Sequence, residues 1–231
     1  MARRVPVLNV DAGELETEPE ELYALADLVN VACGGHAGDE RSMQRVLSIC
    51  AREGTRAGAH PSYEDRAGFG RARVEVAPDV LRAQLEAQLA RLRAVAEASG
   101  VRLVSMKPHG ALYHAAAAEP AVAEACVAAT ASALGSVAVI GPASGGALEE
   151  AAEARGLPYL REAFADRGVQ PDGTLVPRGS PGALIEDPAL AASRARELAA
   201  REDVDTICLH GDTRGALVIA RAVRDALGPR A

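Results

Sequence analysis

A regular alternation of short β-like runs and helical stretches is the feature that most constrains this chain of 231 residues. The strand-like runs occupy 5–11, 30–34, 55–61, 102–110, 136–141, 159–166 and 204–212. The clearest helical stretches cover 17–29, 39–54, 79–99, 121–134 and 187–202, and a closing helix follows the last strand. About seven β-α units without an intervening linker predict a parallel sheet covered by helices.

Local signals predict where some elements begin. Thr17 and Glu20 form a capping-box pattern for the first helix, with Pro19 in its first turn. Asp39 is placed to be the N-cap of the second helix. In the Gly/Pro-rich excursion after the sixth strand, Asp172-Gly173 suggests a tight turn or a small hairpin.

Two closures of such a sheet are available, a TIM-like barrel and an open doubly wound sheet. An open sheet concentrates its site at one crevice, whereas here polar residues end nearly every strand-like run. Only a closed ring brings all of these strand ends to one mouth. We therefore predict an α/β fold of the TIM-like barrel class, built from seven β/α units as a single domain over residues 1–231.

Composition excludes several classes of function. The net charge of −7 argues against nucleic-acid binding. The sequence has no apolar run near the roughly 18 residues that span a membrane, and its first residues lack a secretory signal. The four cysteines form no CxxC pair, which is typical of reduced thiols in a cytoplasmic protein.

Some residue types are very rare in this chain. Lys107 is the only lysine among 25 basic residues, and Asn9 and Asn30 are the only asparagines. A residue that persists against such a bias is a candidate for a role that its substitute cannot fill, and arginine cannot replace a compact ammonium. Lys107 ends an apolar strand, where it could hold a phosphate or carboxylate or stabilise an oxyanion.

Histidines follow several of the predicted strands, and only His114, which begins the segment after the fourth strand, departs from this pattern. A shared polar site is therefore more plausible than isolated structural histidines. The catalytic candidates are Asp11, His36, His60, Lys107, His109 and His210.

Asp11 ends the first strand. Its role there is that of a turn aspartate, a general base or a hard metal ligand. With His36 and His60 it would be a workable divalent-metal set, but the same residues suit metal-free acid–base chemistry. The spacing does not decide between the two, because no HExxH pair is present.

A second set of polar residues is predicted to bind substrate or phosphate. Its members are Asn9, Glu14, Asn30, Arg66, Arg71, Asp166, Arg167 and Asp212. Arg167 precedes a long loop and is placed to bind an anion. The stretch 63–71 fits a mobile lid with anion-binding arginines, although an ordinary polar loop fits it nearly as well. Cys33 is either a nucleophile paired with His36 or, more commonly for such a residue, a small buried side chain.

No nucleotide-binding fingerprint is present. The sequence has neither a GxxxxGK[ST] loop nor a GxGxxG after its first strand. A nucleotide would have to bind at helix N-termini and glycine-rich strand ends such as 141–146.

Seven stretches resemble the LamB/YcsF family, in the family's order: LNVDAGE, NVACGGHAGD, GAHPSYEDRAGFGR, KPHGALYH, EAFADRGVQPDGTLVPR, GALI and LHGDTRGAL. The resemblance implies a distorted seven-stranded barrel of the glycoside hydrolase/deacetylase type. It implies ATP-dependent opening of 5-oxo-L-proline to L-glutamate, with Mg²⁺ as the counter-ion of ATP. It further implies two separately encoded partners, subunits B and C of the 5-oxoproline-hydrolysing complex.

The chain departs from the family pattern at five positions that flank the polar set. They are Val7, Gly35, Val169, His114 and Arg214, where the family usually has Asp, Phe, Tyr, Asn and Pro. These departures bear on pocket shape more than on reaction class. The absence of a side chain at Gly35 suggests a roomier pocket.

Two other functions remain open. One is an ATP-independent, metal-dependent deacetylase or amidase acting on a small or carbohydrate-derived amide. The other is a noncatalytic subunit that binds substrate or regulates its partners, although such a subunit needs fewer titratable groups. Assembly into a homo-oligomer is also left open by the sequence.

Overall fold

The computed structural model describes residues 5–170 and 174–230 of the chain. Within these residues, seven parallel strands close into one barrel in sequence order, with the first strand paired to the last. The strands are β1 (Val7–Ala12), β2 (Leu28–Ala32), β3 (Arg56–His60), β4 (Leu103–Met106), β5 (Ala138–Pro142), β6 (Tyr159–Phe164) and β7 (Thr206–His210). The predicted TIM-like barrel is therefore confirmed.

The helices cover the outside of the barrel. They are α1 (Glu20–Leu25), α2 (Glu40–Glu53), α3 (Pro78–Ala98), α4 (Gly110–Ala118), α5 (Pro120–Leu134), α6 (Ala147–Ala154), α7 (Pro188–Ala199) and α8 (Ala216–Leu227). Asp39 is the N-cap of α2, as predicted, and its side chain accepts a hydrogen bond from the Ser42 amide at 2.8 Å. None of the helices in the described part of the chain is both long and apolar enough to cross a membrane.

The first helix is shorter than predicted. It starts after Pro19 without a side-chain cap, so the predicted capping box of Thr17 and Glu20 is wrong. It also ends at Leu25 instead of continuing to 29. Leu28 and Val29 belong to β2, where they pair in register with β1. A buried parallel strand is apolar on both faces. Its first residues therefore extend the apolar pattern of the preceding helix, and the sequence alone does not separate the two elements.

The Glu18 carboxylate, just before α1, binds backbone amides that precede it in the chain. It accepts hydrogen bonds from the amides of Gly13, Glu14 and Leu15 at 2.7–2.9 Å. It therefore stabilises the turn that leaves β1, next to the mouth of the barrel, instead of the start of α1.

The fourth β/α unit contains two helices instead of one. The sequence analysis missed α4 and placed His114 outside helical structure, but His114 lies within this helix and is exposed. The reason is composition: α4 is largely alanine, which favours a helix without producing an amphipathic repeat. The predicted Asp172-Gly173 turn lies outside the described residues, and Val169 and Leu175 on either side of it pair antiparallel.

Side chains alternate along β1 between the barrel interior and the helical layer. Leu8 and Val10 belong to the main core beneath the helices, whereas Val7 contacts the small interior cluster with Leu28 and Ile140. Asn9 and Asp11 continue the interior row and are both buried. The interior thus changes from apolar to polar toward the carboxyl ends of the strands, where TIM-barrel enzymes have their active sites.

A buried ion pair ties the last helix to the start of the barrel. The Arg224 guanidinium donates to Asp27 Oδ2 at 2.7 Å and to the Leu25 carbonyl at 2.9 Å, and Asp27 Oδ2 also accepts from the Leu8 amide. We expect Arg224→Met to lower the free energy of unfolding by about 3 kcal/mol, because the buried Asp27 carboxylate would lose its ion pair with the Arg224 guanidinium.

Urea denaturation followed by circular dichroism measures this loss. Arg221→Met is the matched control, because Arg221 is exposed on the same helix, and it should change the free energy by less than about 0.5 kcal/mol. Equal effects of the two substitutions would contradict the structural role of the Arg224 pair.

Candidate active site

The predicted catalytic residues converge at the carboxyl ends of the strands. Asp11 lies on β1, His60 ends β3, and Lys107 and His109 follow β4. His36 reaches the same place from the loop after β2, and His210 ends β7. All six side chains are at most 11% exposed.

The centre of the site is the Lys107 ammonium. Its Nζ donates to both carboxylate oxygens of Asp11 at 2.9 and 3.1 Å, and lies 3.0 Å from Glu162 Oε1. Cys208 Sγ is also 3.0 Å away. Burial alone would lower the pKa of Lys107, but Asp11, Cys208 and Glu162 hold it well above its usual range. The lysine is therefore a fixed buried cation.

Both asparagines of the chain support this cluster. The Asn9 amide nitrogen donates to Glu162 Oε1 at 2.9 Å and to Thr206 Oγ1 at 2.7 Å. The Asn30 amide donates to Asn9 Oδ1 at 2.7 Å and to Asp11 Oδ1 at 2.9 Å. Both were predicted to bind substrate or phosphate, but these bonds give them the task of orienting Asp11 and Glu162.

Glu162 was missed by the sequence analysis. It lies in the middle of β6, two residues before Phe164, and faces the barrel interior at 2% exposure. Burial raises its pKa, and the Asp11 charge adds to this although Lys107 opposes it. The available signal was a carboxylate at an inward position of a strand whose other inward residues are apolar.

A second cluster contains Glu14 and three histidines. Glu14 Oε1 lies 2.9 Å from His36 Nε2 and 3.1 Å from His109 Nδ1. The rings of His36 and His109 stack with centroids 3.6 Å apart. His60 Nε2 lies 3.0 Å from His109 Nδ1 and 3.4 Å from Asp11 Oδ2, and so joins this cluster to the lysine cluster.

Charge and burial move the pKa values of these groups in opposite directions. Burial would raise the pKa of both Asp11 and Glu14, but their cationic and hydrogen-bonding neighbours hold each pKa well below its usual range. Burial lowers the pKa of His36 to about 4 and also lowers that of His109. The pKa of His60 is raised despite burial, mainly because Asp11 is close.

The loop at 63–71 carries a strained residue beside the histidines. Phe69 has φ of +55°, a left-handed conformation that bulky residues rarely adopt. Its carbonyl lies 3.0 Å from His109 Nε2 and accepts that hydrogen bond. A Cβ at Gly70 would lie 2.8 Å from His36 Cβ, so a glycine is needed where this loop approaches the site.

The arginines predicted to bind anions have different environments. Arg66 donates to the carbonyls of Gly34 and Gly38, and Arg167 donates to those of Val176 and Ala183. These two side chains therefore hold loops in place through hydrogen bonds to backbone carbonyls.

Arg71 instead pairs with Asp212 at the mouth. Arg178, which the sequence analysis missed, also lies 3.0 Å from Asp212 Oδ2. Arg178 lies in the Gly/Pro-rich stretch after the sixth strand. That stretch has no hydrophobic periodicity, so the sequence does not predict where the Arg178 side chain lies.

His210 is held by a carboxylate from the neighbouring strand end. Its Nδ1 lies 3.0 Å from Asp166 Oδ1, and its backbone amide donates to Asp166 Oδ2 at 2.8 Å. Because a carboxylate accepts, Nδ1 carries a hydrogen, and in the neutral ring Nε2 is then a lone pair. That Nε2 faces Asp11 Oδ2 at 4.0 Å. Asp166, predicted to bind substrate or phosphate, has the geometry of an orienting residue.

Two further expectations concern the His36 loop. Cys33 is buried, and burial raises its pKa to about 12, so the interpretation as a small buried side chain is favoured over that as a nucleophile. A Cβ at Gly35 would lie 2.5 Å from Ser62 Oγ and 2.7 Å from Gln88 Oε1. The expected roomier pocket is wrong, because the space beside Gly35 is filled by these two buried side chains.

Several side chains in the described part of the chain bring three metal-ligand atoms within 4.8 Å of one another. Glu14, His36 and His109 do so, as do Asp11, Cys208 and His210. Neither is the predicted set of Asp11, His36 and His60, because His36 contacts Glu14 instead of Asp11.

Replacing Lys107 tests the electrostatic balance of the site. We expect Lys107→Met to lower the free energy of unfolding by about 3–5 kcal/mol, because Asp11 and Glu162 would remain buried without their cation. Adding Glu162→Gln should restore at least about 1 kcal/mol, since it removes one of the two uncompensated charges. Urea denaturation of both variants measures this coupling, and strictly additive losses would contradict it.

Comparison with known proteins shows which family the chain belongs to. Residues 8–230 match the LamB/YcsF family. The A subunit of 5-oxoprolinase from Methylococcus capsulatus is 43% identical, covering 100% of this chain and 94% of the relative. That of Streptomyces griseus subsp. griseus is 44% identical over 95% of this chain and 94% of the relative. The crystal structure of the lactam utilization protein from Thermus thermophilus has a TM-score of 0.87 at 32% identity, covering 97% of this chain and 96% of that one. This chain belongs to the LamB/YcsF family.

Proposed function

We propose that this chain is the A subunit of an ATP-dependent 5-oxoprolinase, which opens the ring of 5-oxo-L-proline to give L-glutamate. The names of full-length relatives at 43–44% identity support this assignment. The structural observation that carries it is the Asp166–His210 pair, which presents a free imidazole nitrogen toward Asp11 at the barrel mouth. Such an arrangement suits a general base that takes a proton from water as the water attacks an acyl carbon.

A lactam resists hydrolysis because amide resonance makes its carbonyl carbon a poor electrophile. Phosphorylation of the amide oxygen by ATP, with release of ADP, would make that carbon a better electrophile. Water would then attack the carbon while His210 Nε2 removes a proton, and Asp166 would stabilise the imidazolium that forms. The imidazolium would return the proton to the ring nitrogen as the C–N bond breaks, and a second water would hydrolyse the resulting acyl phosphate to L-glutamate and inorganic phosphate. His210 suits the role of general base better than Asp11, because Lys107 and His60 hold the pKa of Asp11 low and make it a weak base.

The other groups would position charge around the reacting atoms. Lys107 keeps Asp11 ionised and oriented. Its ammonium is already paired with two buried carboxylates, so it is not available to bind the substrate. Arg71 and Arg178 share the single Asp212 carboxylate, so this group of three side chains carries one excess positive charge. That charge would bind the substrate carboxylate or a phosphoryl group.

The proposal includes ATP with Mg²⁺ as its counter-ion, and subunits B and C as partners. The relatives are named as one lettered subunit of an enzyme, which supports a complex of several chains. A reaction that consumes ATP in this way would take place in the cytoplasm. Nucleotide binding by this chain itself, for example at 141–146 before α6, stays a prediction.

The ATP-independent deacetylase or amidase is the weaker alternative. Full-length relatives with a different named activity argue against it. It predicts hydrolysis of an amide by the isolated chain without ATP, whereas the proposed function predicts glutamate release only by the complex with ATP. The noncatalytic alternative predicts that substitutions at the strand ends of this chain leave glutamate release by the complex unchanged.

The test is a glutamate-release assay of the three coexpressed subunits with 5-oxoproline, with and without ATP. We expect His210→Ala to lower kcat by about 10²–10⁴-fold, because the general base would be missing. His114→Gln is the matched control, since His114 is exposed on α4. Unchanged turnover of the His210→Ala complex would refute the assigned role, and ATP-independent turnover would refute the proposed function.

A further inference from the structure

Hydrogen bonds to backbone carbonyls fix the protonation of two buried histidines in the Glu14 cluster. His60 Nδ1 lies 2.7 Å from the Lys107 carbonyl, and His109 Nε2 lies 3.0 Å from the Phe69 carbonyl. A carbonyl oxygen only accepts, so each of these nitrogens must carry its hydrogen. In the neutral rings, His60 Nε2 and His109 Nδ1 are then both bare lone pairs.

These two bare nitrogens face each other at 3.0 Å. Glu14 Oε1 lies 3.1 Å from His109 Nδ1 and 3.8 Å from His60 Nε2, and Asp11 Oδ2 lies 3.4 Å from His60 Nε2. With both rings neutral, electron-rich atoms from several side chains would converge with no hydrogen between them. In a buried site this arrangement requires a cation, which is either a metal ion or a proton shared between the two rings.

The spacing of these atoms suits a metal ion. Zn²⁺ binds histidine nitrogen and carboxylate oxygen at about 2.0–2.2 Å in tetrahedral sites, which separates neighbouring ligand atoms by about 3.3 Å. The three separations among Glu14, His60 and His109 are 3.0, 3.1 and 3.8 Å. Metal-binding histidines almost always donate their other N–H to a carbonyl or carboxylate, as His60 and His109 both do here.

His36 has a different role from these two histidines. Its Nε2 lies 2.9 Å from Glu14 Oε1, and its buried Nδ1 has no hydrogen-bond partner among the described residues. If Nε2 bound a metal, the hydrogen on Nδ1 would be buried without an acceptor. Donation of Nε2–H to Glu14 avoids a buried N–H without an acceptor and leaves only a lone pair unpartnered on Nδ1, so His36 is a positioning residue for the carboxylate.

We propose that Glu14, His60 and His109 form a binding site for a divalent first-row transition metal of the Zn²⁺ or Mn²⁺ type, with His36 orienting Glu14. Two imidazoles and a carboxylate are a suitable set for such ions, and three protein ligands leave a position open. The site stands on its own geometry. Its use as a Lewis acid on the lactam carbonyl rests on the proposed function.

Metal binding can be measured on the isolated full-length chain, without ATP or partners. The protein is freed of metal with a chelator and then titrated with Co²⁺, with binding followed by visible absorption and by elemental analysis after dialysis. We expect one equivalent of Co²⁺, displaced by Zn²⁺, with a spectrum that lacks a thiolate charge-transfer band. Failure of the glutamate-release assay would leave this result unaffected, so the two proposals fail separately.

Variants locate the bound ion. His60→Gln and Glu14→Gln should each weaken Co²⁺ binding by more than about 100-fold, and His36→Gln by about 10–100-fold, the range for residues that orient a ligand. His114→Gln should bind like the parent protein. Circular dichroism of each variant separates lost binding from lost folding.

Two results would overturn the proposal whether or not the variants fold. The first is the absence of stoichiometric metal in the parent protein, which would leave a shared proton between His60 and His109 as the buried cation. The second is a thiolate band that disappears in Cys208→Ser, which would place the ion at the Asp11, Cys208 and His210 group instead.

Discussion

The rest of the site depends on one buried cation, the Lys107 ammonium between Asp11 and Glu162. Without a compact positive charge at this point, two carboxylates could not remain ionised or ordered inside the barrel. Asn9 and Asn30 then donate their amide hydrogens to Glu162 Oε1 and Asp11 Oδ1, two oxygens that the lysine also contacts. The only lysine and the only two asparagines of the chain therefore meet in one hydrogen-bonded network.

The sequence predicted the barrel because its strands and helices alternate over the whole chain, and because each strand end carries polar residues. It failed where local patterns were ambiguous. Leu28 and Val29 extend the apolar pattern of α1, so nothing local separates the helix from β2. The alanine-rich α4 lacks a periodic signal, and only the packed structure reveals it. Both errors concern the limits of elements, and neither changes the strand order.

The site was predictable to the extent that its residues follow strands. Asp11, His36, His60, Lys107, His109 and His210 were all found in this way and do converge. Glu162 was missed because it lies within a strand, where the alternation of inward and outward residues decides its environment. The roles of Arg66 and Arg167 were also unpredictable, since a guanidinium that binds a loop carbonyl and one that binds a ligand have the same sequence signature.

The carbonyl of Phe69 is the group that determines which nitrogen of His109 holds the proton. Phe69 reaches this position with a strained backbone, which the rest of the loop at 63–71 must offset. The hydrogen on Nε2 leaves Nδ1 as the nitrogen of His109 that faces Glu14 and His60. The chemical character of a buried nitrogen is therefore set by the backbone of a loop that lies outside the barrel strands.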